Sequence, residues 1–298
     1  MSWFLYATAS AVLFGVYYLL LKKNLSREHV YVYLAIYSTT VFLILLPFLS
    51  MVKFPQSNLQ WFLIFLEGFS LSLFFTFMTY AYKNLEESEV SPLGNLGILF
   101  TIVLSVIIFN EELKLQDFFG FAMMIIGTFI LEAGIHISKI KEVLVKSEKH
   151  RKYLFYILLG VLFASLSNII EKIVVDPSSI NLGIAATDPF SFNFLTRGFL
   201  MVVFLSGALV KKGFPVGFRH AMKNVGLTII IAAIIYNLAN ISFFKALSLG
   251  HVSHVITIAA LSSLFVTVIG GSIFSEHKLK QKIIACIIMI LATYLIVS

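Results

Sequence analysis

The chain is a succession of apolar runs, each about the length that crosses a lipid bilayer and each bounded by charged or proline-containing breaks. The runs fall at Trp3 to Leu21, Val30 to Val52, Leu59 to Tyr82, Val90 to Phe109, Phe118 to Ile135, Tyr153 to Val175, Pro189 to Val210, Val225 to Phe244, Val252 to Phe274 and Ile283 to Val297. A helix needs roughly 20 apolar residues to span the hydrocarbon core, where only helices and closed barrels satisfy their own backbone hydrogen bonds. Spans of this kind use nearly all of the 298 residues and leave no room for a soluble domain. Only 12% of residues are charged, against roughly a quarter in average soluble domains. The chain therefore reads as an all-α integral membrane protein with ten transmembrane helices, multi-pass in the cell membrane. The first run has no basic region before it and no small-residue cleavage site after it, so it is expected to be retained as a span.

Two segments repeat. FNEELKLQDFFGFAMMIIGTFIL, from Phe109, aligns with FSEHKLKQKIIACIIMILATYLI, from Phe274, matching Glu111 with Glu276, Gln116 with Gln281 and Thr128 with Thr293. A weaker echo pairs Leu13–Gly15 with Leu162–Ala164, and Lys23 with Lys172. The expected units are residues 1–135, a basic linker at 136–152, and residues 153–298. Each unit has five spans, an odd number, so the second enters the membrane in the opposite sense and the whole is two inverted five-helix repeats. Loops after the odd-numbered spans carry 17 Lys and Arg residues, whereas the opposite face carries four, Lys53, Lys114, Lys172 and Lys245. That bias places the central linker in the cytoplasm and both termini outside. It also accounts for the net charge of +7 without a nucleic-acid partner.

Ionisable side chains at membrane depth cost roughly 2.5 to 3.5 kcal/mol on insertion scales, so each is a candidate functional residue. Arg197 lies near the middle of the seventh run and reads either as an anion-binding residue facing a cavity or as half of a structural ion pair. Asn193 stands one turn earlier on the same face. Glu67 in the third run is the plausible opposite charge, a proton carrier if buried or a glutamate reaching back to a helix end. Asn168 shares a face with Glu171 and Lys172, and Lys172 is equally readable as an interfacial anchor. Tyr236, Asn237 and Asn240 in the eighth run suit either a substrate or helix packing, and Ser91, Pro92 and Asn95 open the fourth run. The expected substrate-binding set is thus Glu67, Asn95, Asn168, Asn193, Arg197, Tyr236, Asn237 and Asn240. Glu111 and Glu276, at matching corners, read as structural caps.

No metal site is expected, since His251 and His254 have no further ligands nearby, and Cys286 is the single cysteine. No cofactor is expected either. The sequence contains no GxxxxGK, HExxH or GxSxG motif, which removes the signals for ATP-driven transport and common hydrolysis and argues against an enzyme.

The repeated hairpin resembles that of the drug/metabolite transporter superfamily, in its EamA-type ten-span members. Their pattern of a proline opening the fourth span, a glutamate at the next corner, a glutamine soon after and then glycines is matched by Pro92, Glu111, Gln116, Gly120 and Gly127. The second half keeps Glu276 and Gln281 but has His254, Ala285 and Ala292 in place of the proline and glycines. The resemblance implies a central cavity lined by spans one, three, four, six, eight and nine, with alternating access. It implies a secondary transporter of a small organic metabolite, an amino acid or related compound, by export or antiport. The alternatives are a lipid-carrier flippase of the same superfamily and a membrane scaffold or receptor that binds without translocating. Members generally keep both termini in the cytoplasm, so the resemblance and the charge bias point opposite ways. Arg197, on span seven, lies outside the lining set that the resemblance implies.

Overall fold

The computed structural model describes residues 2–25, 30–85, 90, 93–94, 96–133, 148–210, 214–265 and 279–297. Their helices are α1 (Ser2–Leu25), α2 (Val30–Leu45), α3 (Asn58–Asn84), α4 (Leu96–Phe109), α5 (Leu115–Ala133), α6 (Glu148–Val175), α7 (Pro189–Leu209), α8 (Phe214–Leu247), α9 (Val252–Ala259) and α10 (Leu279–Val297). Short 3-10 turns follow α2 and α6 at Leu46–Met51 and Pro177–Ile180, and no strand occurs among the described residues. One helix thus stands in each of the ten apolar runs. Six are long and apolar enough to cross a membrane, and α4, α5, α9 and α10 lie in shorter apolar stretches.

Local chemistry sets several of the starts. Ser57 and Gln60 form a capping box at α3, with the Gln60 amide donating to Ser57 Oγ and the Ser57 amide to Gln60 Oε1, both at 3.1 Å. At α7, Asp188 accepts from the Ser191 amide, and Pro189 fills the first helical position, where no amide donor is needed. Asn110 ends α4 in the left-handed region at φ 49°, a conformation asparagine adopts more readily than most residues. The chain then turns within five residues into α5, the tight hairpin that the polar NEELK segment predicts.

The pairings between helices show a regularity. α3 packs along α6 as α1 does along α8; α4 meets α6 as α9 meets α1; α3 meets α7 as α8 meets α2. The remaining principal pairs, α2 with α7, α4 with α9 and α5 with α10, map onto themselves when the first five helices are exchanged for the last five. At the α5–α10 seam a Cβ on Gly120 would stand 2.6 Å from Ile296 Cγ1 and 3.2 Å from the Ala292 carbonyl. One on Gly127 would stand 2.5 Å from Met289 Cγ and 3.4 Å from the Ala285 carbonyl. Small residues therefore set how closely these two helices approach. Ala285 and Ala292 occupy the positions that align with the two glycines.

Polarity runs opposite to that of a water-soluble domain. Large apolar side chains such as Phe62, Phe65 and Phe69 on α3, Phe155, Leu158 and Leu162 on α6, and Ile287 and Ile290 on α10 face outward. Serines, threonines, asparagines, Glu67, Glu171 and Arg197 are buried between helices. An apolar belt of this extent belongs against lipid.

Candidate functional site

Arg197 is the largest of the fully buried side chains, 2% exposed. It lies about 12 Å along α7 from its first residue, at 1.5 Å per residue, so neither membrane surface is within easy reach. Its three guanidinium nitrogens are each used: Nε donates to Asn193 Oδ1, Nη1 to Tyr236 Oη and Nη2 to Asn240 Oδ1, all at 3.1 Å. The acceptors are themselves held. Asn193 Nδ2 donates to Asn237 Oδ1 at 2.8 Å, Asn237 Nδ2 to the Val41 carbonyl at 3.0 Å, and Asn240 Nδ2 to the Tyr236 carbonyl at 2.7 Å. The network joins α7, α8 and α2 and fixes the guanidinium with neutral partners only. Glu67 on α3 and Glu171 on α6 are the acidic side chains that act on it through space.

Beside Arg197 lies a narrow slot lined by Leu34, Tyr37, Ser38, Val41, Phe75, Leu200, Phe204 and Tyr236. Tyr236 is packed by aromatic rings on three sides, with centroids 4.7 Å away for Tyr17, 5.6 Å for Tyr37 and 6.3 Å for Phe75. The buried hydroxyls of Tyr17, Tyr33 and Tyr37 lack a well-formed hydrogen bond to any described residue, although those of Tyr17 and Tyr37 approach one another. Unpaired buried hydroxyls are costly, and here they cluster next to a fixed positive charge. The arrangement can take an anionic group on the guanidinium and offer hydroxyls and aromatic faces to the remainder of a small molecule.

On the other side of Arg197 the helix ends are tied together. These are the connections after α2, α4, α6 and α8. Glu111 caps α9 by accepting from the Val252 amide at 2.6 Å, the Ser253 amide at 3.2 Å and Ser253 Oγ at 2.6 Å. Lys172 Nζ donates to the Leu247 and Gly250 carbonyls that end α8, at 2.8 and 3.0 Å, and pairs with Asp176 at 2.8 Å. Burial pushes the Asp176 carboxyl up, but hydrogen bonds from Lys172 and Ser178 outweigh it and hold the group below its ordinary value. The pair therefore contributes above the ordinary carboxylate range and is lost as pH falls through that lowered value. Gln60 Nε2 reaches the Ala185 carbonyl at 2.6 Å, and the Lys53 amide donates to Ser191 Oγ at 2.8 Å. His254 stands 3.4 Å from Asp117 and stacks on Trp3.

A family model matches residues 1–132 and 151–298, described as the EamA-like transporter family. The chain belongs to the EamA-like transporter family. This EamA-like transporter is a multi-pass integral membrane protein of the drug/metabolite transporter superfamily. It is similar to a protein of known crystal structure, with a TM-score of 0.69 and 12% identity over 99% of this chain and 96% of the other. That likeness concerns the fold. No functionally curated protein is significantly similar to the chain.

Within this EamA-like transporter, five of the eight expected site residues form one connected network: Asn193, Arg197, Tyr236, Asn237 and Asn240. Glu67 lies next to it, fully buried, with Ser167 Oγ donating to its Oε1 at 3.1 Å. Asn168 is elsewhere: its Nδ2 bonds Thr101 Oγ1 at 3.3 Å in the seam between α6 and α4, where Ser165 Oγ also donates to the Gly97 carbonyl. Asn95 lies outside the described residues, as do Pro92 and Glu276. Lys172 departs from the interfacial-anchor reading, because it is buried and caps α8. Glu111 is a cap, though of α9 across the molecule and not of its own hairpin. Sequence reading missed Tyr17, Tyr33 and Tyr37, whose signal was a tyrosine pair four apart on α2. It named Glu171 without seeing its partner, Glu67. Among the described residues no group of three metal-ligating side chains converges.

Proposed function

We propose that this EamA-like transporter moves a small organic metabolite bearing a carboxylate, an amino acid or a related compound, by alternating access, in export or antiport at the cell membrane. The observation that carries the proposal is Arg197: a buried cation, pre-positioned by three hydrogen bonds, at the wall of a slot lined by Tyr37 and Tyr236, with Tyr33 and Tyr17 packed against them. The slot is too narrow as it stands to admit more than water, so entry of a solute requires α2 and α3 to move against α7 and α8. A site between helices that must part in order to load is the arrangement alternating access uses. The exchange regularity in the helix pairings supports two inverted five-helix repeats, 1–135 and 153–298, joined by the linker at 136–152. The concentration of Lys and Arg in the odd-numbered loops favours a cytoplasmic linker, with the tied helix ends on the outer face.

A thermal-shift screen on detergent-purified protein tests the substrate class, using amino acids, nucleotide sugars, phosphorylated metabolites and amines. A ligand at 100 times its Kd stabilises by about 2.7 kcal/mol. The expected result is that one or more amino acids raise Tm in the wild type and leave Arg197→Lys unchanged, because lysine keeps the charge but loses the planar fork of donors. Stabilisation by amines alone, or equal stabilisation of both proteins, would remove Arg197 from the site.

A further inference from the structure

Two connections at the tied face are long, and each reaches a helix of the other half. The α2–α3 connection spans residues 46–57 and the α6–α7 connection residues 176–188. Exchange of the halves pairs them with the α7–α8 and α1–α2 connections, residues 210–213 and 26–29, four residues each. Four residues extend to about 14 Å at most, little more than the distance between two packed helices. The α6–α7 connection is pinned along its length. Lys172 Nζ holds Asp176 at its start while donating to the carbonyls that end α8. The backbone then doubles back through Asn181 and Gly183, both in the left-handed region at φ 53° and 66°. Ile180, Leu182 and Ile184, each half-buried, pack against the apolar core that α3, α4 and α6 share. The Thr187 amide donates to the Val174 carbonyl of α6 at 3.0 Å, and the Asp188 carboxylate accepts from the Ser191 amide of α7. Among the described residues, one hydrogen bond joins this connection to a helix other than α6 and α7: Gln60 Nε2 on α3 donates to the Ala185 carbonyl at 2.6 Å. The packing is also incompletely satisfied, because Thr187 Oγ1 and Asp188 Oδ2 are buried without a hydrogen-bond partner. Stranded polar groups favour a form in which water reaches them.

We propose that residues 176–188 form a hinged lid over the tied face, latched to α3 by the Gln60–Ala185 hydrogen bond and lifted when the site opens to that side. The inference rests on the transport reading above and adds to it the part that moves. The lid is joined to α6 and α7 by the chain itself, but to α3 only by one hydrogen bond and three half-buried apolar side chains. It can therefore part from α3 without unwinding a helix. The α2–α3 connection makes the reciprocal tie, its Lys53 amide donating to Ser191 Oγ in the first turn of α7. Releasing both ties frees the starts of α3 and α7 from one another. Those are the two helices that carry Glu67 and Arg197, about 14 Å and 12 Å from their first residues at 1.5 Å per residue. The counterpart between α1 and α2 is too short to cover a mouth, so the device belongs to one face only.

The test has two arms, both in a Cys286→Ala background. In the first, detergent-purified protein carrying Thr187→Cys is treated with a thiol-labelling reagent. The change is close in size and falls on a buried hydroxyl that has no partner to lose. Ala186→Cys, at an exposed position of the lid, gives the rate for open access. Thr187→Cys is expected to label at least tenfold more slowly than Ala186→Cys, and adding Gln60→Glu is expected to remove most of that difference. Glutamate keeps the acceptor that caps α3 but presents an oxygen, in place of the amide donor, to the Ala185 carbonyl. A labelling rate that Gln60→Glu leaves unchanged overturns the latch. In the second arm Gln60→Cys and Ala185→Cys are joined by a short bifunctional methanethiosulfonate in proteoliposomes. Counterflow of labelled amino acids is expected to fall at least tenfold on joining and to return on reduction with dithiothreitol. Counterflow that survives complete cross-linking overturns the gate. If the protein shows no counterflow of any amino acid before cross-linking, the transport reading fails, whereas the labelling rates still decide whether the lid lifts.

Discussion

Replacing Arg197 with methionine is expected to lower the apparent melting temperature of the purified protein by about 10 °C. The guanidinium supplies hydrogen bonds to Asn193, Tyr236 and Asn240 on two helices and the positive charge that faces Glu67 and Glu171. Methionine fills a similar volume but leaves those acceptors unpaired and the carboxyls without a counter-charge. Removing one partner from a buried charged network costs about 3–5 kcal/mol, and each kcal/mol shifts Tm by roughly 2–4 °C in a chain of this size class. Arg197→Lys keeps the charge and is expected to recover more than half of the lost Tm while lowering solute affinity at least tenfold. A fall in stability without a fall in affinity for the lysine variant would make Arg197 structural alone. Folding-competence of the two variants is read from size-exclusion profiles before either Tm or binding is compared.

The second large effect is expected at Glu111. Its carboxylate accepts two backbone amides and a hydroxyl at the start of α9, where the helix dipole also favours negative charge. Glu111→Ala leaves these donors buried and unsatisfied, at about 1–3 kcal/mol for each group so stranded. A fall in Tm similar to that of Arg197→Met is expected, and Glu111→Gln is expected to restore about half, since an amide oxygen still accepts but without the charge. The check is differential scanning fluorimetry of the three proteins in one detergent. An alanine variant as stable as the wild type would show that α9 does not depend on this cap.

The fold was largely legible because a bilayer imposes one length and one polarity on every span. Each of the ten apolar runs holds a helix among the described residues, and the break between α4 and α5 is a tight turn. What sequence could not supply was direction around each helix. Asn168 and Glu171, three apart on α6, share a face by spacing, yet α6 is wedged between α3 and α4, so Asn168 meets Thr101 on α4 while Glu171 meets Glu67 on α3. Arg197 stood out because a charge in mid-span is rare, and its partners Asn193, Tyr236 and Asn240 were found for the same reason of depth. The tyrosines were invisible for the converse reason. In an aromatic-rich membrane chain, Tyr33 and Tyr37 resemble interfacial anchors or packing residues, and only the fold shows their hydroxyls buried beside a cation. Lys172 misled through its position near a span end, where snorkelling is the ordinary behaviour of lysine; the α8–α9 connection folds over it instead.

The most direct test of the account is counterflow. Proteoliposomes loaded with a millimolar mixture of unlabelled amino acids are placed in a trace of the labelled mixture, with no ion gradient. The account predicts a transient overshoot of label inside wild-type vesicles, reduced at least tenfold in Arg197→Lys, because a shared carrier must return loaded. Binding of the same amino acids in detergent with no overshoot in vesicles would contradict it and leave a protein that recognises its ligand without carrying it across.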